Sequence, residues 1–324
     1  MDCNALSNLE AMINQNYPNI AGICVKKNGG NVYENHFHGY TAANSFHVFS
    51  VTKSVFSTLI GIAIDQRHIK DINQPVLDFF PGYEPAAGEK TLQKIKIKHL
   101  LTMTAPYKYQ TEPYEMFFAS QDPIRDALNL LGGDDPAGNF RYSAIGGTHI
   151  LAGILANATK RPVLDYATEY LFHPLGIQVP HNIVLRDKEE HMAIMNDKNT
   201  KGWAVDPQGI NTAGWGLFLT PAEMANIGQL YLNGGLWDGK QIVSAGWIAE
   251  STREHSRCPQ PIGLSYGYLW WLLGKDSYAA IGDGGNAIYV NTKNKLVIAL
   301  AAVLLPDVKD SITLIKESIE PIFE

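Results

Sequence analysis

The chain has 324 residues, 45% of them hydrophobic and 18% charged, with 29 Gly and 17 Pro; this is enough apolar material to bury a core, and it excludes a disordered or collagen-like chain. A formal net charge of −6 without a long Lys/Arg run gives no electrostatic footprint for nucleic acid or an anionic membrane. Cys3, Cys24 and Cys258 are odd in number and widely spaced, so they form neither a disulfide framework nor a metal knuckle.

A reducing, cytoplasmic location is the simpler expectation. Met1-Asp2-Cys3-Asn4 opens no basic-then-apolar leader, and no apolar run approaches the ~18 residues of a membrane span.

In chain order, Ile20 to Tyr40 reads as two β-prone runs split by Lys26-Lys27-Asn28-Gly29-Gly30, a hairpin. Residues 50 to 256 are mostly helical in pattern, with helices expected over Ser50–Gln66, Gln121–Leu131, Ile145–Ala158, Val163–Leu171 and Pro221–Leu232. Within them, Lys94, Lys96 and Lys98 alternate with Ile95 and Ile97, a period of two that predicts a strand with a solvated lysine face. Tyr278–Ile281, Ala287–Asn291 and Leu296–Leu304 read as antiparallel strands, and Asp310–Ile319 as a helix lying on them. The expected architecture is therefore a single α+β domain over 1–324. An antiparallel sheet from both chain ends (about 1–49 and 257–324) is flanked by helices, and a mostly helical lobe (about 50–256) is inserted.

Chemistry concentrates in three segments. Ser50-Val51-Thr52-Lys53 follows the strand-like Phe46-His47-Val48-Phe49 and opens an apolar helix. A three-residue step brings the Lys53 amine to the Ser50 hydroxyl, and free N–H groups at a helix start favour an oxyanion. Of 14 serines only Ser50 has Lys three positions on, yet chance gives about one such match in a chain like this, and an N-cap serine with a surface lysine is the plain alternative. Arg141-Tyr142-Ser143 precedes a helix and supplies a phenol able to shuttle a proton. Gly282-Asp283-Gly284-Gly285-Asn286 separates two β-runs and could present a backbone N–H to an oxyanion.

In this order and spacing the three segments resemble the serine β-lactamase and penicillin-binding protein superfamily, in particular its class C and esterase-like branch. Ile97-Lys98-His99-Leu100-Leu101-Thr102-Met103-Thr104, Asn211-Thr212-Ala213-Gly214-Trp215-Gly216-Leu217 and Tyr266-Gly267-Tyr268-Leu269-Trp270-Trp271 extend the likeness over most of the chain. The resemblance implies acylation of Ser50, proton transfer shared by Lys53 and Tyr142, and an oxyanion hole from the backbone N–H groups of Ser50 and Asn286, beside Gly285. Two residues depart from the pattern. Ala144 stands where the second motif usually ends in Asn, with Ser143 as a partial substitute, and Asp283 stands where the third usually begins with a cation. The reversed charge disfavours carboxylate-bearing β-lactams, leaving an ester, amide or small peptide as the expected substrate.

Other signals are weaker. Gly263-Leu264-Ser265-Tyr266-Gly267 matches a nucleophile elbow, but that fold needs a later histidine and the last is His255. Gly234 to Lys240 matches a phosphate loop up to its lysine but continues with Gln241, so a hairpin is expected. His36, His38 and His47 lack further ligands at a recognisable spacing, so they read as surface histidines and no metal or other cofactor is expected. Strand alternation should send one of Trp270 and Trp271 into the core and let the other wall a cleft. Two further readings stay open at this stage: a decayed binding or scaffold module on the same fold, and a D-Ala peptidase of penicillin-binding type.

Overall fold

The computed structural model describes residues 3–324. Helix α1 (Cys3–Asn16) leads into the hairpin β1 (Ile20–Lys27) and β2 (Gly30–His36), then β3 (Phe46–His47) and α2 (Val51–Asp65). The inserted lobe carries α3 (Ile97–Leu101), α4 (Tyr114–Ala119), α5 (Pro123–Leu130), α6 (Gly146–Thr159), α7 (Val163–Ala167), β4 (Asn182–Val184), α8 (Lys188–Ile194) and β5 (Trp203–Val205). After it come β6 (Phe218–Leu219), α9 (Pro221–Leu232), the hairpin β7 (Leu236–Trp237) and β8 (Lys240–Gln241), and α10 (Ala245–Ser251). Strands β9 (Ser256–Arg257), β10 (Ser265–Tyr266), β11 (Trp271–Leu272), β12 (Ser277–Gly282), β13 (Asn286–Asn291) and β14 (Leu296–Ala302) follow, and helical turns over Ser311–Phe323 end the chain.

Eight strands form one antiparallel sheet in the order β2-β1-β14-β13-β12-β11-β10-β9, so β1 from the N-terminal end pairs with β14 from the C-terminal end. Alternation sorts β14 between two cores. Leu296, Ile298 and Leu300 pack with Leu9 and Ile13 of α1 and with Leu314, Ile315 and Ile319 of the last helical turns, whereas Val297, Ala299 and Ala301 join the core beneath α2 and α9. With helices on both faces, β14 is buried along its whole length.

Helices α5 and α9 start where capping chemistry allows. Asp122 accepts from Arg125 N–H with Pro123 in the first turn of α5, and Thr220 and Glu223 form a reciprocal capping box with Pro221 at the start of α9. Lys94–Lys98 departs from the expected strand. Leu92–Lys94 is a short 3-10 turn, and α3 begins at Ile97 after a single bridge between Lys96 and Pro75. Ile95 and Ile97 are both buried, so the alternation is met by a turn feeding a helix, with His99 Nδ1 accepting from Lys96 N–H. No helix among the described residues is long and apolar enough to cross a membrane.

Candidate active site

Ser50 stands where β3 passes into α2. Phe49, just before it, has φ +47, a left-handed conformation that an aromatic residue holds only when its surroundings enforce it. Here Phe49 is buried and its ring meets His47 edge-on at 4.1 Å. Ser50 occupies the N-cap position, but its side chain makes no cap hydrogen bond, so the hydroxyl is left for other partners.

Those partners are the expected ones. Lys53 is only 2% exposed, on a helix whose residues from Val51 to Ala63 are all buried, which sets aside the surface-lysine alternative. Its Nζ donates to Ser50 Oγ at 2.7 Å and to the Gly214 carbonyl at 3.0 Å, and it lies 5.4 Å from the centre of the Tyr142 ring. Tyr142 Oη reaches Ser50 Oγ at 3.4 Å, longer than a strong O–H···O bond but typical of a catalytic contact before substrate tightens it. Trp271 stacks on the Tyr142 ring at 6.0 Å, whereas Trp270 is fully buried; alternation sends the two indoles opposite ways.

Glu112, absent from the sequence reading, holds the Tyr142 loop in place. Its carboxylate accepts from Ser143 Oγ (2.8 Å) and from the N–H groups of Ala144 (2.6 Å), Ile145 (3.0 Å) and Gly146 (2.7 Å). A carboxylate there satisfies free donors at the start of α6 and complements the helix dipole. Arg141 ties down the other side, with its N–H on the Met103 carbonyl and its guanidinium on the Tyr107 carbonyl. Ser143 is fully buried between Glu112 and the Gly147 N–H. It therefore packs into the helix start and does not stand in for the missing Asn side chain at Ala144.

The glycine-rich turn also differs in detail from the expectation. Asn286 lies on β13, one strand further from Ser50 than β12, paired with Gly282. Its fully buried side chain donates to the Asp283 and Ala302 carbonyls and, at 3.4 Å, to the His47 carbonyl of β3, and accepts from Ala302 N–H. The backbone that approaches Ser50 is Gly282: a Cβ there would sit 2.3 Å from the Val48 carbonyl oxygen and 3.2 Å from Ser50 N, so only glycine lets β12 come this close. Asn286 thus braces the turn from behind, and Gly285, with φ +104, packs against Asn19, which donates to the Gly284 carbonyl. Asp283 is exposed at the rim. Partial burial, and then the neighbouring Glu112 and Asp283 carboxylates, push the Tyr114 hydroxyl up.

Behind the lysine runs a stack of rings. Trp215, next to Gly214, stacks on His191 at 4.3 Å and on His47 at 6.3 Å, and Phe118 meets both Trp215 and His191 edge-on. His47 is therefore a core residue and not a surface one: burial, then the neighbouring His191, push its imidazole down to about 3, and burial holds His191 at about 4. Of the weaker signals, Gly234–Gln241 contains the β7–β8 hairpin, and Ser265, half-buried on β10, donates to Glu254. Cys24 and Cys258 are free, and among the described residues no group of three His, Cys, Asp or Glu side chains gathers for a metal.

The geometry has counterparts in known proteins. A family model described as Beta-lactamase matches residues 10–315. The chain is 25% identical over 294 residues to a 6-aminohexanoate-dimer hydrolase of Paenarthrobacter ureafaciens, covering 83% of this chain and 69% of that protein. Among solved structures, a family VIII carboxylesterase superposes with a TM-score of 0.72 at 17% identity, covering 98% of this chain and 96% of its own. The octameric penicillin-binding protein homologue from Pyrococcus abyssi gives 0.71 at 20% identity, over 97% and 76% of the two chains. At these identities the structural matches speak for a common fold.

Proposed function

The chain belongs to the β-lactamase family, and on that premise we propose that it is a serine hydrolase working through an acyl-enzyme on an ester, amide or small peptide. The observation that carries this reading is the convergence of Lys53 Nζ and Tyr142 Oη on Ser50 Oγ, at 2.7 and 3.4 Å.

In the reaction, Ser50 Oγ attacks the substrate carbonyl carbon while Lys53, hydrogen-bonded to it, acts as the general base that takes its proton. The oxyanion is held by the Ser50 N–H at the start of α2 and by backbone N–H at the end of β12, where Gly282 lets the strand approach. Collapse breaks the bond to the leaving group, which takes a proton through Tyr142. Water then attacks the acyl carbon, gives its proton to the same pair and restores Ser50. The Gly214 carbonyl keeps Lys53 aimed at Oγ, the orienting work that an amide at position 144 would otherwise share.

The exposed carboxylate of Asp283 argues against β-lactams with their own carboxylate, as does the absence of a cation at that position. The names of the relatives, an amide-dimer hydrolase and a carboxylesterase, support the ester and amide class. The test is turnover of p-nitrophenyl acetate and butyrate by wild type and Ser50→Ala. Turnover lost in the variant is expected; equal rates overturn the reading, and no turnover in either favours a binding module on this fold.

A further inference from the structure

A groove between α4 and α8 is unused by the chemistry described so far. It encloses about 670 Å³, within the range of small-molecule clefts, and is lined by Tyr114, Phe118, Met192 and Met195 together with His191 and the exposed Glu115. Trp215, on the wall of an adjoining space, links it to the reacting groups, because the preceding Gly214 carbonyl accepts from Lys53 Nζ. Tyr114 and Met192 are among the most exposed large apolar side chains of the described residues, so an apolar chain laid there would cover surface that water now wets.

Phe118, Ala119, Arg186, Asp187 and His191 also bound a second, smaller space of about 60 Å³, room for a few heavy atoms. Its wall adds Asp206 and Trp215. Three buried polar atoms of this wall have no hydrogen-bond partner in the protein: Asp206 Oδ2, His191 Nδ1 and Trp215 Nε1. Asp206 is 7% and His191 5% exposed, and such atoms are costly to leave unpaired. The charged neighbours are already engaged. Arg186 pairs with Glu190, and Asp187 caps α8 by accepting from Glu190 N–H.

From these atoms we propose a substrate subsite for an aliphatic segment that ends in a neutral carboxamide, resting on the hydrolase reading above in treating the groove as part of the substrate cleft. An indole N–H only donates and a carboxylate only accepts. A carboxamide answers both, its oxygen taking the Trp215 N–H and its NH₂ giving to Asp206 Oδ2, while an ammonium leaves the indole unpaired and a carboxylate faces Asp206. Asp206 Oδ1 is already held by the N–H groups of Gln208 and Ile210, which fixes the carboxylate and leaves Oδ2 for the ligand.

The experiment measures equilibrium binding to the Ser50→Ala protein of four p-nitrophenyl esters with six-carbon acyl chains, ending in methyl, carboxamide, ammonium or carboxylate. The carboxamide ester is expected to bind at least tenfold tighter than the other three. In Trp215→Phe and in Asp206→Asn, which keeps Oδ1 and its two backbone partners, that advantage should fall to about twofold or less. Equal binding of the four esters, a preference for either charged end, or an advantage that survives in both variants overturns the proposal. Wild-type turnover of p-nitrophenyl acetate reports separately on the hydrolase reading, so either can fail without the other.

Discussion

The Tyr142 ring lies over the indole of Trp271, their centroids 6.0 Å apart and their planes inclined by 23°. The stack fixes the ring of a residue that is 37% exposed and leaves its hydroxyl on Ser50. Tyr142→Phe keeps the stack and removes only the proton carrier, so kcat on nitrophenyl esters should drop by about 10²–10⁴-fold with KM little changed. Steady-state kinetics decide this; a kcat within threefold of wild type would take Tyr142 out of proton transfer.

Glu112 acts on the reaction only through the loop it holds. Glu112→Gln preserves one accepting oxygen but turns the other into a donor facing the Ala144 N–H, an unpaired contact worth about 1–3 kcal/mol. The expected result is a lower melting temperature and a kcat reduced about tenfold at unchanged KM, with kcat restored in part by Glu112→Asp. A variant that loses stability while keeping kcat would assign Glu112 to α6 capping alone.

Asp283 sets the charge of the rim. Asp283→Lys should raise kcat/KM for a carboxylate-bearing penicillin by about two- to fivefold, a small gain because exposed charges are screened, and the gain should shrink in high salt. Initial rates at two ionic strengths test this. An unchanged rate, or one insensitive to salt, would remove the electrostatic account of β-lactam discrimination.

Three buried imidazoles and the half-buried His99 set the acid limit of stability. Burial pushes His47 down to about 3 and His99, His149 and His191 down to about 4, against about 6.5 in the unfolded chain. Between these values the unfolded chain binds more protons than the folded one, so stability falls as pH drops from 6.5 towards 4 and is flat with respect to these groups above 6.5. Urea denaturation from pH 7.5 to 5 should show a falling midpoint with proton uptake on unfolding. A constant midpoint would mean that these rings are protonated in the fold.

Much of this molecule could be read before it was seen, wherever local chemistry decides. The Thr220, Pro221 and Glu223 side chains start α9 at the expected residue, and the β-prone run from Leu296 forms β14 of the antiparallel sheet. The Ser50–Lys53 pair was legible because a helical step fixes its geometry. Reading failed where the partner is backbone or distant. Strands β9, β10 and β11 are two residues each, too short for any periodicity. Glu112 gave no signal because its partners are backbone N–H groups 32 to 34 residues away. Sequence also does not reveal that Gly282 of β12 is the backbone that approaches Val48 and Ser50, while Asn286 lies on the next strand, β13.

The most direct measurement is the mass shift produced by a fluorophosphonate probe, followed by peptide mapping. One adduct per chain is expected, on Ser50 alone, with its rate of formation cut severely in Lys53→Met. An adduct on another serine such as Ser265, or ester hydrolysis that continues while Ser50 stays unlabelled, would contradict the assignment of Ser50 as the nucleophile.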